Sequence, residues 1–302
     1  MPCTPGQRKQ RGETCRGLGV TFVGVKRSQW QMSLPASSLL RGVFLLAFIA
    51  VASPWCTKTT IPHAIAAETG SVASGPRQPV LVELFTSEGC SSCPPADALL
   101  ARLDTTQFVP GAQAIVLSEH VTYWNQLGWR DPFSMESMTE RQQQYALHFG
   151  LDSAYTPQAV VDGAAELVGS DAGAMSRAVA HAAQAAKQAM TIGAVSRQQD
   201  TVHFTVKSKA PEHAMLLAAL AADATVSTVE RGENAGRTLN HVAVVLVLKA
   251  TGADQADGRA LALKLNSPEI FPEQGKTLRL VAFLADSRTG KVLAVAEQPV
   301  GR

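Results

Sequence analysis

Cysteine is scarce in this sequence. Five occur in 302 residues, and three of them, Cys3, Cys15 and Cys56, fall within the first 66. Beyond that point only Cys90 and Cys93 remain, so a zinc site of four cysteines has no second pair to complete it. Long apolar runs are missing as well: the run from Val43 to Ala52 is far short of the roughly 20 residues a bilayer span needs. No Met-rich or His-rich tract points to copper handling. Positive charge is lacking where a nucleic acid would need it. The formal net charge is +2, but residues 1–66 hold eight Lys/Arg against one acidic residue, which leaves 19 basic and 24 acidic residues in the remainder. A mildly acidic body gives no electrostatic reason to expect nucleic-acid binding. Internal repeats and long disordered linkers are also absent.

At 46% hydrophobic residues the chain can bury a large core. Its N-terminus reads as an export signal. In "LLRGVFLLAFIAVASPW" Arg41 precedes the short apolar run, and Ala64-Ile65-Ala66 then offers a small-x-small cleavage site before Ala67. Met32 would open a signal of normal length and competes with Met1 as the start. Trp55 is too bulky to precede a lipid-anchored Cys56. Residues 1–66 are therefore excluded from the fold, and the mature chain is expected in the periplasm or outside the cell. In such an oxidising compartment Cys90 and Cys93 can pair with each other, since no other thiol competes.

"PVLVELFTS" (79–87) reads as a buried strand. "PPADALLARL" follows as a helix, with Ala96, Leu99, Leu100 and Leu103 on one face and two prolines in its first turn. The cysteines thus lie at a strand-to-helix junction. "AIVLS" (114–118) is a second strand, and "SMTERQQQYALHFG" a helix stopped by Gly150. "TPQAVVDGAAELVG" (156–169) is a hairpin turning at Asp162-Gly163, and Asp171 caps an Ala-rich helix from about Ala172 to Met190. From Thr191 short β-like runs alternate with turns, the spacing of an antiparallel sandwich. "AMLLAALAA" (214–222) is ambiguous, because alanine and leucine favour helix.

A thiol at a helix N-terminus meets unpaired N–H groups and the positive end of the dipole, which favours thiolate. Cys90 is expected as the exposed nucleophile and Cys93, more buried, as the resolving thiol. Should the helix start only at Pro94, Cys93 becomes its N-cap and the roles exchange. A structural disulfide that never exchanges is the plain alternative. His120 follows a strand end, on the side of a parallel sheet where ligands usually bind. It is either a hydrogen-bonded structural histidine or a group that tunes a thiolate or shuttles a proton. Tyr123, Trp124 and Trp129 crowd one loop, as core anchors or as a rim beside the cysteines. In "ERGENAGRTLNH", Glu230, Arg231, Glu233, Asn234, Arg237 and His241 form a solvated turn or a loop docked on the same end.

The strand–Cys-x-x-Cys–helix unit, followed by an X-Pro that opens a terminal hairpin and then a helix, resembles the thioredoxin fold. That resemblance implies a cis Thr156-Pro157 bond with Pro157 lying against the cysteines. More narrowly, "ELFTSEGCSSCPPADALL", "HVTYWNQLGWRDPFS", "RQQQYA", "YTPQAVVDG" and "VERGENAGRTLNHVAVV" resemble the secreted thioredoxin-like family called domain of unknown function 1223. Thr122 departs from its pattern, where an acidic residue is expected, which puts in doubt any role that needs a carboxylate beside His120. The implied fold class is an α/β thioredoxin-like domain, residues 76–190, followed by a β-rich, sandwich-like domain, residues 191–302. The implied activity is thiol–disulfide exchange with thiols or disulfides of other exported proteins, or with a redox partner protein. Cys90, Cys93, Pro157 and His120 make up the expected site, without cofactor or metal. Two other readings use the same residues: a Cu(I) carrier that adds His120 to the two thiolates, and a binding module stapled by an inert disulfide.

Overall fold

The computed structural model describes residues 76–265 and 277–301. The expected export signal and its cleavage site lie outside the described residues. Among those described, no helix is long and apolar enough to cross a membrane.

Strand β1 (Gln78–Thr86) is buried along nearly its whole length and pairs in parallel with β2 (Ala112–His120), Thr86 opposite His120. Helix α1 (Pro94–Thr106) joins them and buries Leu99, Leu100 and Leu103. Helix α2 (Glu136–Phe149) ends as expected at Gly150, whose φ of 66° gives the left-handed cap that stops it. On its other edge β1 pairs antiparallel with β3 (Gln158–Val161), which turns back into β4 (Ala165–Val168). The turn requires positive φ at Asp162 and Gly163, 51° and 61°. Gly163 is needed twice over, because the Gly290 carbonyl stands where a side chain would begin.

Helix α3 (Ala172–Ala182) is capped by the Asp171 carboxylate, which accepts from Ala174 N at 2.9 Å. It stops well short of Met190. Lys187 is drawn to Asp162 (2.6 Å) and Gln188 N donates to Leu293 O (2.9 Å), so the chain leaves the helix and enters β5 (Met190–Gln198). Strands β6 (Thr201–Ser208), β7 (Ala214–Thr228), β8 (Thr238–Gly252), β9 (Asp257–Lys264), β10 (Leu278–Asp286) and β11 (Val292–Val300) complete the described chain. "AMLLAALAA" lies within strand β7. It runs between β10 and β8 with residues 216–222 all buried, and pairing on both edges overrides the helical preference of alanine and leucine.

The β-rich part differs from the expected separate sandwich. Its strands β7, β8, β10 and β11 extend the first sheet, giving the order β11-β10-β7-β8-β2-β1-β3-β4, while β5, β6 and β9 form a second sheet. The join is one pair wide, Ser118 opposite Val244. The smaller sheet packs Val202, Phe204 and Val206 against Leu216, Leu220 and Leu280 of the larger. Through this join, residues 229–237 at the tip of the β7–β8 hairpin reach the end of β1, where the cysteines lie.

Candidate functional site

Where β1 ends, two tight turns carry the chain into α1: Cys90 N donates to Ser87 O and Cys93 N to Cys90 O, each at 3.2 Å. They bring the two Cα atoms to 5.4 Å, within disulfide reach, and the sulfurs are bonded. Helix α1 begins at Pro94 with Cys93 as its N-cap, the second of the two geometries expected. The helix end nevertheless offers little to either sulfur. Pro94 and Pro95 have no N–H, and the N–H groups of Ala96 and Asp97 both donate to Cys93 O, at 2.8 and 3.1 Å. The polar side-chain atom beside Cys90 Sγ is Ser92 Oγ, at 3.3 Å.

Both cysteines are fully buried, although Ser91 and Ser92 between them are exposed. An exposed Cys90 was expected, and it is covered because the loop 229–237 is docked rather than solvated. Asn234 Nδ2 donates to Glu88 O and to Cys90 O, both at 2.9 Å, and Ser91 N donates to Glu233 Oε2 at 3.0 Å. On the neighbouring side Trp124 lies against Gly89 and donates from Nε1 to Thr156 Oγ1 at 2.7 Å, while Trp129 donates to Glu88 Oε2 at 2.7 Å. The tryptophans are therefore anchors of the site's walls. The Thr156–Pro157 bond is cis, and Pro157 converges with Leu84 and Ala96 on Gly169, beside the first turn of α1.

Around the end of β1 lies a cluster of ionisable side chains, all buried. His120 Nδ1 and Asp131 Oδ2 are 2.7 Å apart, and Asp131 also accepts from the N–H groups of Glu88 and Phe133. The carboxylate that position 122 fails to supply thus comes from Asp131. Burial is the largest single influence on His120 and lowers its pKa, but the charge and hydrogen bond of Asp131, together with the charges of Asp97 and Glu88, outweigh it and the net shift is upward. Asp131, raised by burial and lowered by His120 and by its two backbone hydrogen bonds, ends lower. The His241 ring lies 4.8 Å from that of His120, with Nε2 at 3.4 Å from Glu88 and Nδ1 at 3.6 Å from Asp97. Asp97 accepts from Thr86 Oγ1 at 2.9 Å, and burial pushes its carboxyl up despite the pull of His241 and His120. Both nitrogens of His241, Nε2 of His120 and Oε1 of Glu88 have no hydrogen-bond partner.

Cys90 and Cys93 follow β1, Pro157 precedes Gln158, which pairs with Phe85, and His120 pairs with Thr86, so all four lie at the same end of β1. Asp97, Glu88 and Asp131 escaped the sequence reading. Of these only Asp97 carried a local signal, four residues after Cys93 on the same helical face. Among the described residues no group of three or more His, Cys, Asp or Glu is arranged to hold a metal ion. A cavity of about 700 Å³ between α2 and the strands β7, β8 and β10 shares none of its lining with this site.

A protein-family model described as "Protein of unknown function (DUF1223)" matches residues 81–285. A crystal structure of protein AGR_C_4864 from Agrobacterium tumefaciens is 25% identical, with a TM-score of 0.52 over 73% of this chain and 93% of that one. No curated protein matches the chain.

Proposed function

We propose that this chain, which belongs to the DUF1223 family, is a thiol–disulfide exchange protein with a thioredoxin-like core, acting on thiols or disulfides of other exported proteins. The observation that carries the reading is the Cys90–Cys93 disulfide at the junction of β1 and α1. The strand order β2-β1-β3-β4, with β2 parallel and β3 antiparallel to β1, supports it, as does the cis proline ahead of β3. An oxidising compartment fits both the disulfide and the export signal read from the sequence.

In the exchange, a partner thiolate attacks Cys90 Sγ, the Cys90–Cys93 bond breaks, and Cys93 leaves as a thiolate. A second partner thiolate then attacks the partner sulfur of the mixed disulfide and displaces Cys90, so two partner thiols are oxidised to one disulfide and the protein gains two electrons; the reverse sequence reduces a partner disulfide and re-forms Cys90–Cys93. Ser92 Oγ, at 3.3 Å, can donate a hydrogen bond to the Cys90 thiolate. Cys93 is enclosed, so its proton must come from inside. Asp97, four residues on along the same face of α1 and with a carboxyl held up by burial, is the group we assign to supply it.

Alkylation of the reduced protein across pH, read by mass, tests this. Cys90 is expected to label first, with an apparent pKa below the free value of about 8.5. Ser92→Ala should raise that pKa by about one unit, the worth of a hydrogen bond to a charged acceptor. Two thiols that titrate as ordinary cysteines, with a disulfide inert to glutathione, would leave only the structural staple.

A further inference from the structure

We propose that residues 229–237 are a specificity-determining cap, through which a partner reaches the disulfide only by displacing Asn234 and Glu233; this rests on the exchange reading above. The cap binds the cysteine loop by that loop's own backbone. Asn234 Nδ2 holds the carbonyls of Glu88 and Cys90, and Glu233 holds the N–H of Ser91, the residue after the proposed nucleophile. Asn234 is fully buried, and its remaining oxygen is fixed by Arg237 Nη1 at 2.8 Å.

The segment is built to move as a unit. Val229 N donates to Arg237 O (2.9 Å) and Gly236 N to Val229 O (2.8 Å), which closes the loop at its base. Gly232 and Gly236 take φ of 79° and 78°, and Gly232 rests on Trp129 with no side chain of its own to interlock. Between the closed base and the tip, Asn234 is the buried residue, so polar bonds to the cysteine loop hold the tip down. Such bonds can be traded for equivalent ones. An extended polypeptide offers N–H groups for the two carbonyls and a C=O for Ser91 N–H, as a strand does when it adds to another. Glutathione carries only two amide groups, one of them in a γ-linkage that breaks the spacing of a strand, and does not match all three sites. The cap therefore selects polypeptide thiols over small ones.

The test compares rates of reduction of the oxidised protein by glutathione and by an unfolded polypeptide carrying one free cysteine, read by alkylation and mass. The wild type should favour the polypeptide by about tenfold or more, the equivalent of one hydrogen bond. Asn234→Ala should raise the glutathione rate by at least about tenfold, Glu233→Ala by a few-fold, and both should bring the ratio toward one. Glu233 is exposed, so its variant keeps the test decisive should Asn234→Ala lose its near-UV circular dichroism. Glutathione rates unchanged in both variants, or a wild-type ratio of one, would overturn the cap while leaving exchange in place. A disulfide that neither thiol reduces in any of the three proteins would instead overturn the exchange reading, and the cap with it.

Discussion

Cys93→Ala is expected to abolish turnover and to leave Cys90 locked in a mixed disulfide. In the intact protein the backbone bond from Cys93 N to Cys90 O and the 5.4 Å Cα separation hold the second thiol against the first. Release of a mixed disulfide is then intramolecular, with effective concentrations that reach about 10⁵ M or more in well-oriented systems. Without Cys93, release must wait for a thiol from solution, so the adduct formed with oxidised glutathione should outlive that of the wild type by a factor of at least about 100. Cys90→Ala should form no such adduct, because Cys93, the leaving sulfur in the proposed exchange, is buried at the N-cap of α1. Intact mass without reductant reads both variants. An adduct on Cys90→Ala and none on Cys93→Ala would exchange the roles, in keeping with Cys93 as the helix N-cap.

What the sequence disclosed of this site was local. The apolar run of β1, the prolines of α1, Gly150 as a stop and Asp162-Gly163 as a turn each act within a few residues, and each stands where the pattern put it. What it hid depends on distant partners. Cys90 is buried under Asn234, 144 residues away, and no composition or spacing near Cys90 records that contact. Strand β7 hid for a different reason: burial on both faces erases the alternation that marks a strand, and an Ala-Leu run remains that reads as helix. The single join of Ser118 to Val244, which makes one sheet of two expected parts, has no sequence signature at all. For His120 the hidden partner is Asp131, 2.7 Å away and supplied by the aromatic loop, while position 122 offers no carboxylate.

Arg141→Met is expected to cost about 3–5 kcal/mol of stability, because it leaves a buried carboxylate without its counter-charge. Arg141 and Tyr145, both from "RQQQYA", close on Glu83 from one face of α2. Arg141 Nη2 lies 2.5 Å from Glu83 Oε1, Tyr145 Oη donates to Glu83 Oε2 at 2.6 Å, and the guanidinium also lies over the rings of Tyr145 and Phe283. Glu119 is the third charge, fully buried, 3.6 Å from Arg141 Nε and without a hydrogen-bond partner on either oxygen. Burial first, and then the Glu83 charge, hold its carboxyl well above the ordinary value. A carboxyl raised in the folded state binds more protons there than in the unfolded chain, so stability falls as pH rises from the ordinary carboxylate range through the raised value. Removing Arg141 takes away the one charge that opposes this rise for Glu119. The loss should therefore be smallest near pH 5, where the Glu119 carboxyl holds its proton, and largest above neutrality. Urea unfolding at the two pH values measures it, and Glu83→Gln added to Arg141→Met should restore most of the loss, as expected when a pair is removed together rather than broken. A loss below about 1 kcal/mol at both pH values, the scale of a surface pair, would mean that solvent reaches Glu83.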